Sequence, residues 1–147
     1  MEKLRKELEL IDIFYNLTSI PSPSLHEEKV VDWVREFCKK EGLNFMTDSY
    51  NNVVIKLPAT DSSKPMMALS SHMDVVGDDS PVTPILDGDF IHANNRTLGG
   101  DDKFGMSAAL KLLKDTKNSD MKHGGLEVVF TRDEENTMQG IKHTDFS

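Results

Sequence analysis

"GGLEVVFTRDEEN" runs from Gly124 to Asn136. Its first half, rich in Val and Phe behind two glycines, reads as a strand over 126–131. Its second half sets three carboxylates, Asp133, Glu134 and Glu135, at the C-terminal end of that strand. In open α/β sheets, ligands bind beyond the carboxyl ends of the strands. A strand that leads directly into carboxylates therefore points to such a sheet, with a site at its edge.

Other segments fit the same architecture. "PMMALSSHMDVV" (65–76) holds a short continuous apolar run from Met66 to Leu69, the pattern of a buried strand, expected over 66–71. "NNVVIKLPA" (51–59) predicts a strand over 52–57, entered through the turn residues Asn51 and Asn52. "ILDGDFIHA" (85–93) reads as a hairpin around Asp87-Gly88. Between these lie helical patterns. Leu4, Leu8, Ile11, Tyr15 and Leu17 predict a helix from Glu2 to Ser19, stopped by Pro21 and Pro23 in "SIPSPS". Ser24 and Glu27 have the spacing of a capping box. A stripe of Val30, Val31, Val34, Phe37 and Cys38 follows, and Gly42 is the C-terminal stop. A further helix is expected from Lys103 to Lys117. Helices alternating with strands predict an α/β fold: a mostly parallel central sheet with helices on both faces, holding the strands near 52–57, 66–71 and 126–131.

Composition narrows the function. The 147 residues, 37% hydrophobic, suit one domain or a piece of a larger one. A net charge of −8 argues against nucleic acid or an anionic membrane as partner and suits a site that gathers cations. One cysteine, Cys38, excludes an internal disulfide and fits a reducing compartment; the charged start "MEKLRKELEL" is no signal peptide. The expected location is the cytoplasm.

Three polar clusters then stand at strand ends or helix starts. In "SSHMDVV", His72 and Asp74 are two apart, so in extended backbone Asp74 reaches the His72 ring and fixes its tautomer, as carboxylates do for metal-ligating histidines. In "TLGGDDKFG" (97–105), Gly99 and Gly100 permit a sharp turn and close backbone approach, while Asp101 and Asp102 repel phosphate. One aspartate caps the helix and the other binds a cation. In "RDEEN", neighbouring side chains diverge in extended backbone, so one glutamate ligates metal while the next faces the water to be activated, the two ingredients of metal-assisted hydrolysis. Each cluster alone also fits a plain surface reading: a turn residue, an N-cap, a solvated loop. Their conjunction favours one shared site.

Other motifs fail. "HEEKV" at His26 lacks the second histidine of a helical zinc motif, and "DGDFIHA" has Ile91 where a calcium loop needs a ligand. No nucleophile elbow or phosphate loop is present. His26, His92, His123 and His143 are expected on the surface or in loops, Cys38 in the core, and Met66 and Met67 in packing roles.

"HMD", "TLGGDDKFG" and "TRDEEN" followed by a glycine, in this order, resemble the dinuclear-zinc metallopeptidases that include tripeptidase T, the Xaa-His dipeptidase, carnosinase, glutamate carboxypeptidase and the aminoacylases. The resemblance extends over nearly the whole chain and implies metal-dependent hydrolysis of short peptides, with the tripeptidase T type of aminopeptidase foremost. The alternatives are a dipeptidase, an N-acyl amino acid hydrolase, or a non-catalytic metal-binding remnant. By position it makes His72 a ligand of one metal, Asp74 the carboxylate that braces it, Asp101 the bridge between two divalent ions (zinc, or cobalt or manganese), Glu134 the general base and Glu135 a ligand of the other metal; Asp102 falls on a variable position. Family members are much longer. They carry a lid or dimerisation domain, through which they form homodimers, and two further ligands. Only twelve residues follow Glu135, and His143 and Asp145 among them fall at no matching position. Residues 1–147 are thus expected to be the N-terminal portion of a catalytic domain, without the lid domain and the C-terminal remainder.

Overall fold

A computed structural model describes residues 1–144. Asp145 therefore lies outside the described residues. The elements are α1 (Glu2–Glu7), α2 (Glu9–Thr18), α3 (Glu28–Glu41), β1 (Asn44–Thr47), β2 (Val53–Leu57), β3 (Met67–His72), β4 (Pro84–Asp87), β5 (Phe90–Ala93), α4 (Gly100–Lys117), β6 (Leu126–Thr131) and α5 (Gln139–His143). The three expected strands occur within a residue of their expected bounds and share one sheet of order β1-β2-β6-β3. β4 and β5 form the expected hairpin apart from it. No helix among the described residues is long and apolar enough to cross a membrane.

The α/β class is as expected, but the sheet is mixed rather than mostly parallel. β1 pairs antiparallel with β2, and β2 antiparallel with β6; only β3 and β6 run parallel. Connection length accounts for two of the three pairings; the direction of β2 against β6 is not fixed by their long connection. The turn between β1 and β2 is tight, with Asp48 Oδ1 accepting the amides of Tyr50 at 2.8 Å and Asn52 at 2.9 Å, and so short a link leaves only the antiparallel arrangement. β3 and β6 are separated by a long crossover containing α4, which permits parallel pairing.

One face of the sheet, through Val53, Ile55, Val128 and Phe130, packs on Leu17 of α2, Val30, Val34 and Cys38 of α3, and Met106, Leu110 and Leu113 of α4. Burying each of these larger side chains contributes roughly 1.5–3 kcal/mol. These three helices share that single core, whereas helices on both faces were expected. The opposite face leaves Met46, Lys56, Ala68 and Ser70 exposed. β3 is an edge strand, so its opening residues, Met67 and Ala68, are exposed, as is Met66 before it. The packing role expected of Met66 and Met67 is not seen; only Ser71 and His72 of this strand are buried.

One helix detail also differs from expectation. The first helix breaks at Leu8, whose backbone is extended. Arg5 of α1 folds back onto α2, its Nε donating to Asp12 at 2.8 Å and its guanidinium lying 3.8 Å from the Tyr15 ring centre. α3 ends as expected, at Gly42 with φ 62°, a left-handed position that glycine adopts without penalty.

Cys38 sits wholly inside the core, and burial pushes its thiol up to about 12. It is expected to resist a thiol reagent at pH 8 until the chain unfolds; rapid labelling of the native protein would show that α3 is not packed as described. An unfolded thiol ionises near 9.0, so above that pH the unfolded chain binds fewer protons than the native one. The stability from the protonated thiol is therefore present below pH 9 and declines as pH rises toward 12.

Candidate metal and catalytic site

The parallel pairing of β3 with β6 builds the site. It places His72 opposite Thr131, so the segments leaving the two strands emerge side by side. The segment after β3 carries Asp74, and the segment after β6 carries Arg132 to Glu135. The start of α4 closes on the same point. Gly99, at φ 75°, fits against Val75 so tightly that a Cβ would come 2.8 Å from its methyl carbon. A glycine is therefore required for this loop to approach the His72–Asp74 segment.

The two adjacent aspartates divide their tasks. Asp101 projects into solvent and brings Oδ1 to 3.0 Å from His72 Nε2. Asp102 turns inward: Oδ1 accepts the Gly105 amide at 3.0 Å, capping the helix proper, and Oδ2 accepts the Ser71 hydroxyl at 2.5 Å. The cap expected of one member of the pair is thus Asp102, and Asp101 is the one left facing the His72 ring. A Cβ on Gly105 would overlap the Asp102 carboxylate. A side chain at position 105 would displace Asp102, and Asp102→Ala is expected to cost about 1 kcal/mol, the usual value of a helix cap, in urea unfolding. An unchanged midpoint would show that Asp102 does not cap α4.

His72 is held from its other side. Nδ1 lies 2.9 Å from the Asp74 carbonyl oxygen and 3.4 Å from Asp74 Oδ1, which leaves Nε2 facing Asp101 and Glu134. Burial lowers the basicity of the ring, but the surrounding carboxylates, Asp74 and Asp101 first, outweigh it and raise the imidazole to about 9. Asp74 is itself wholly buried. Burial works to raise its pKa, yet hydrogen bonds from His72, the Ser24 hydroxyl and two backbone amides hold the carboxyl well below the usual carboxylate range.

Those two amides belong to Glu134 and Glu135, at 2.9 and 3.0 Å. Asp74 thus supports the glutamates as well as the histidine. The glutamates were expected to diverge from an extended strand end, and here the structure differs. Asp133 adopts φ 58° and turns the chain immediately after β6; its buried carboxylate accepts hydrogen bonds from Asn136 and Thr137. Glu134 and Glu135 consequently sit on a turn and converge. His72, Glu134 and Glu135 each offer a ligand atom, all within 4.8 Å of one another.

Ser24 and Glu27 also depart from expectation. Neither side chain caps α3. Ser24 donates to Asp74 Oδ2 at 2.6 Å, and the wholly buried Glu27 accepts the Asp133 amide at 2.9 Å while pairing with Arg132 at 2.6 Å. Their spacing matches a local cap, and nothing in it signals a partner about fifty or a hundred residues away. Lys103, too, has a role that its place in the helical pattern does not signal. Its Nζ is buried, donating to Ser22 Oγ at 2.6 Å and to the Met73 carbonyl at 2.7 Å. Burial lowers this amine to about 7, against the opposing pull of Asp74 and Glu27.

An imidazole nitrogen and carboxylate oxygens, gathered at one open edge, suit a borderline dication such as zinc or cobalt, or the harder manganese. The remaining histidines stand elsewhere: His26 and His92 are exposed, His123 accepts the Gly125 amide in a loop, and His143 stacks on Tyr50 at 4.6 Å.

Comparison with known proteins gives the same result along the chain. Residues 68–144, which contain all three polar clusters, match the peptidase family M20/M25/M40. The cytosol non-specific dipeptidase of Escherichia coli is 35% identical over 144 residues, covering 89% of this chain and 29% of its own length. The fold superimposes on a tripeptidase from Staphylococcus aureus with a TM-score of 0.86 at 30% identity, covering 92% of this chain and 39% of that one. An aminoacylhistidine dipeptidase from Vibrio alginolyticus gives 0.79 at 32% identity, covering 92% and 30%. The chain thus spans about a third of the length of these three relatives. Fold, motif order and the converging carboxylates around His72 agree: the chain belongs to peptidase family M20/M25/M40.

Proposed function

We propose that this chain carries part of the active centre of a cytoplasmic, metal-dependent exopeptidase that releases residues from short peptides, most closely a tripeptidase-type aminopeptidase. The observation that carries this reading is the placing of Asp101 and Glu134 at Nε2 of His72, with a Glu135 oxygen within 4.8 Å of ligand atoms of His72 and Glu134 and Asp74 behind the ring. The relatives named as a tripeptidase and a cytosolic dipeptidase support the substrate class and the compartment. Their printed activities keep dipeptides as the second substrate.

In this reading His72, Asp101 and Glu135 would hold two divalent ions, zinc foremost, with Asp101 shared between them. Such ions, when bound, would supply Lewis-acid polarisation of the scissile carbonyl and a lowered pKa for the attacking water. The protein's own work lies in its side chains. Asp74 keeps Nε2 of His72 toward the site by occupying the Nδ1 side. Glu134 takes a proton from the attacking water at its carboxylate and delivers it to the leaving amine nitrogen. The two further ligands that the resemblance implies have no counterpart among the described residues, so the isolated chain should bind metal weakly.

The test is hydrolysis of di- and tripeptides with zinc, cobalt or manganese, by this chain and by any longer polypeptide that contains it. Release of an N-terminal residue that stops on chelation and returns with metal is the expected result. No hydrolysis by the longer polypeptide under any of these metals would end the enzymatic reading.

A further inference from the structure

Four consecutive backbone amides at the end of β6 are each held by a side chain from a distant segment. The Arg132 amide donates to Asn52 Oδ1 at 2.9 Å, Asp133 to Glu27 Oε1 at 2.9 Å, Glu134 to Asp74 Oδ1 at 2.9 Å and Glu135 to Asp74 Oδ2 at 3.0 Å. All three acceptor side chains are wholly buried. Asp74 is accounted for by His72. Glu27 is not: it touches neither His72 nor the open face of the site.

A buried carboxylate is costly unless its lone pairs are met. Those of Glu27 are met mostly from the residues that lead into the turn carrying the glutamates, Arg132 and Asp133. Oε1 takes the Asp133 amide and the Leu25 amide at 3.1 Å, and Oε2 takes Arg132 Nε at 2.6 Å. The Arg132 guanidinium is fixed further by Glu28 at 2.8 Å and the Leu25 carbonyl at 3.1 Å. Glu27 thereby holds both the residue that enters the turn and Asp133, whose left-handed backbone directs Glu134 and Glu135 back toward His72.

We infer that Glu27 is a positioning residue. By holding Arg132 and the Asp133 amide, it sets the direction of Glu134 and Glu135 and so tunes metal affinity at a site it does not touch. The inference rests on the metal-centre reading above. Outer-shell partners of this kind change metal affinity by about 10–100-fold when removed.

The experiment compares zinc affinity, measured by competition with a chromophoric chelator, with the thermal midpoint in wild type, Glu27→Gln and Val30→Ala. Glutamine keeps the shape of Glu27 but turns one oxygen into an N–H donor, which faces either Arg132 or an amide. Val30, wholly buried in the first turn of α3, contributes only packing. The expected result is zinc binding weakened about 10–100-fold in Glu27→Gln, with Val30→Ala retaining wild-type affinity despite a lower midpoint. Unchanged affinity in Glu27→Gln, or losses in both variants that track their midpoints, would overturn the inference while leaving the metal centre in place. A wild-type chain that binds no zinc would remove the metal reading and the positioning role together. If Glu27→Gln does not fold, Glu27→Asp carries the same comparison, since it keeps the charge but withdraws the carboxylate by one methylene; a several-fold loss is then expected, and none would overturn the role.

Discussion

Glu134→Gln is expected to lower peptide hydrolysis by a factor of about 10²–10⁴, the range that general acid–base catalysis contributes, and to leave bound metal nearly unchanged. The vehicle is whichever polypeptide hydrolyses peptides, this chain or a longer one containing it. Glutamine preserves the volume and hydrogen-bonding reach of glutamate but accepts no proton at neutral pH. Glu135→Gln should do the opposite first, emptying one metal position, with activity restored in part by excess metal. Asp101→Asn should disturb both metals, since Asp101 is the proposed bridge. Metal content by mass spectrometry, read beside kcat, separates these cases. Zinc lost from the Glu134 variant and kept in the Glu135 variant would exchange the two roles. The geometry alone does not favour either glutamate, because the turn at Asp133 brings both within ligand distance of His72.

Asp74→Ala should cost about 3–5 kcal/mol of folding stability, the range seen when one partner of a buried charged network is removed. The carboxylate is wholly buried and receives the Ser24 hydroxyl at 2.6 Å, the Glu134 amide at 2.9 Å and the Glu135 amide at 3.0 Å, beside the His72 ring. Alanine leaves all of these without an acceptor. Urea unfolding followed by circular dichroism measures the change, and a loss below about 1 kcal/mol, that of one ordinary hydrogen bond, would show that water replaces the carboxylate at little cost. The pH dependence follows from the same contacts. The folded pKa of Asp74 lies below its unfolded value of about 3.8, so its stabilisation is complete above that pH and is lost as pH falls further. Wild type should therefore weaken steeply below about pH 4, and Asp74→Ala should show a shallower acid decline.

The parts of this structure legible in the sequence are those set by local pattern. Val53–Leu57 and Leu126–Thr131 announce themselves as strands by β-branched apolar runs, Gly42 stops α3 through its left-handed backbone, and Asp87-Gly88 signals the hairpin whose turn residues are Gly88 and Asp89. The short elements are missed for lack of pattern: β1 is four residues, Asn44–Thr47, with no clear apolar face, and α5 spans only Gln139–His143. Strand direction is not local either. That β6 inserts between β2 and β3 depends on long-range pairing, which neither strand encodes by itself.

The candidate site shows the same division. His72, Asp101, Glu134 and Glu135 are visible as ligand-type residues at element ends, and the structure gathers them. Their supports are not visible. Ser24 and Glu27 imitate a capping box because serine and glutamate three apart look the same whether they bond to the adjacent helix or to Asp74 and Asp133. The convergence of the two glutamates depends on one backbone angle, the positive φ of Asp133, where extended backbone was the default expectation.

The most direct test of the central claim is a crystal of this chain grown with zinc and measured across the zinc absorption edge. Anomalous density at ordinary ligand distance, about 2.0–2.2 Å, from His72 Nε2, the Asp101 carboxylate and the Glu135 carboxylate, with Glu134 near the metal but not bound to it, is the predicted result. Density absent from this cluster at saturating zinc, or bound through Glu134 with Glu135 turned away, would contradict it.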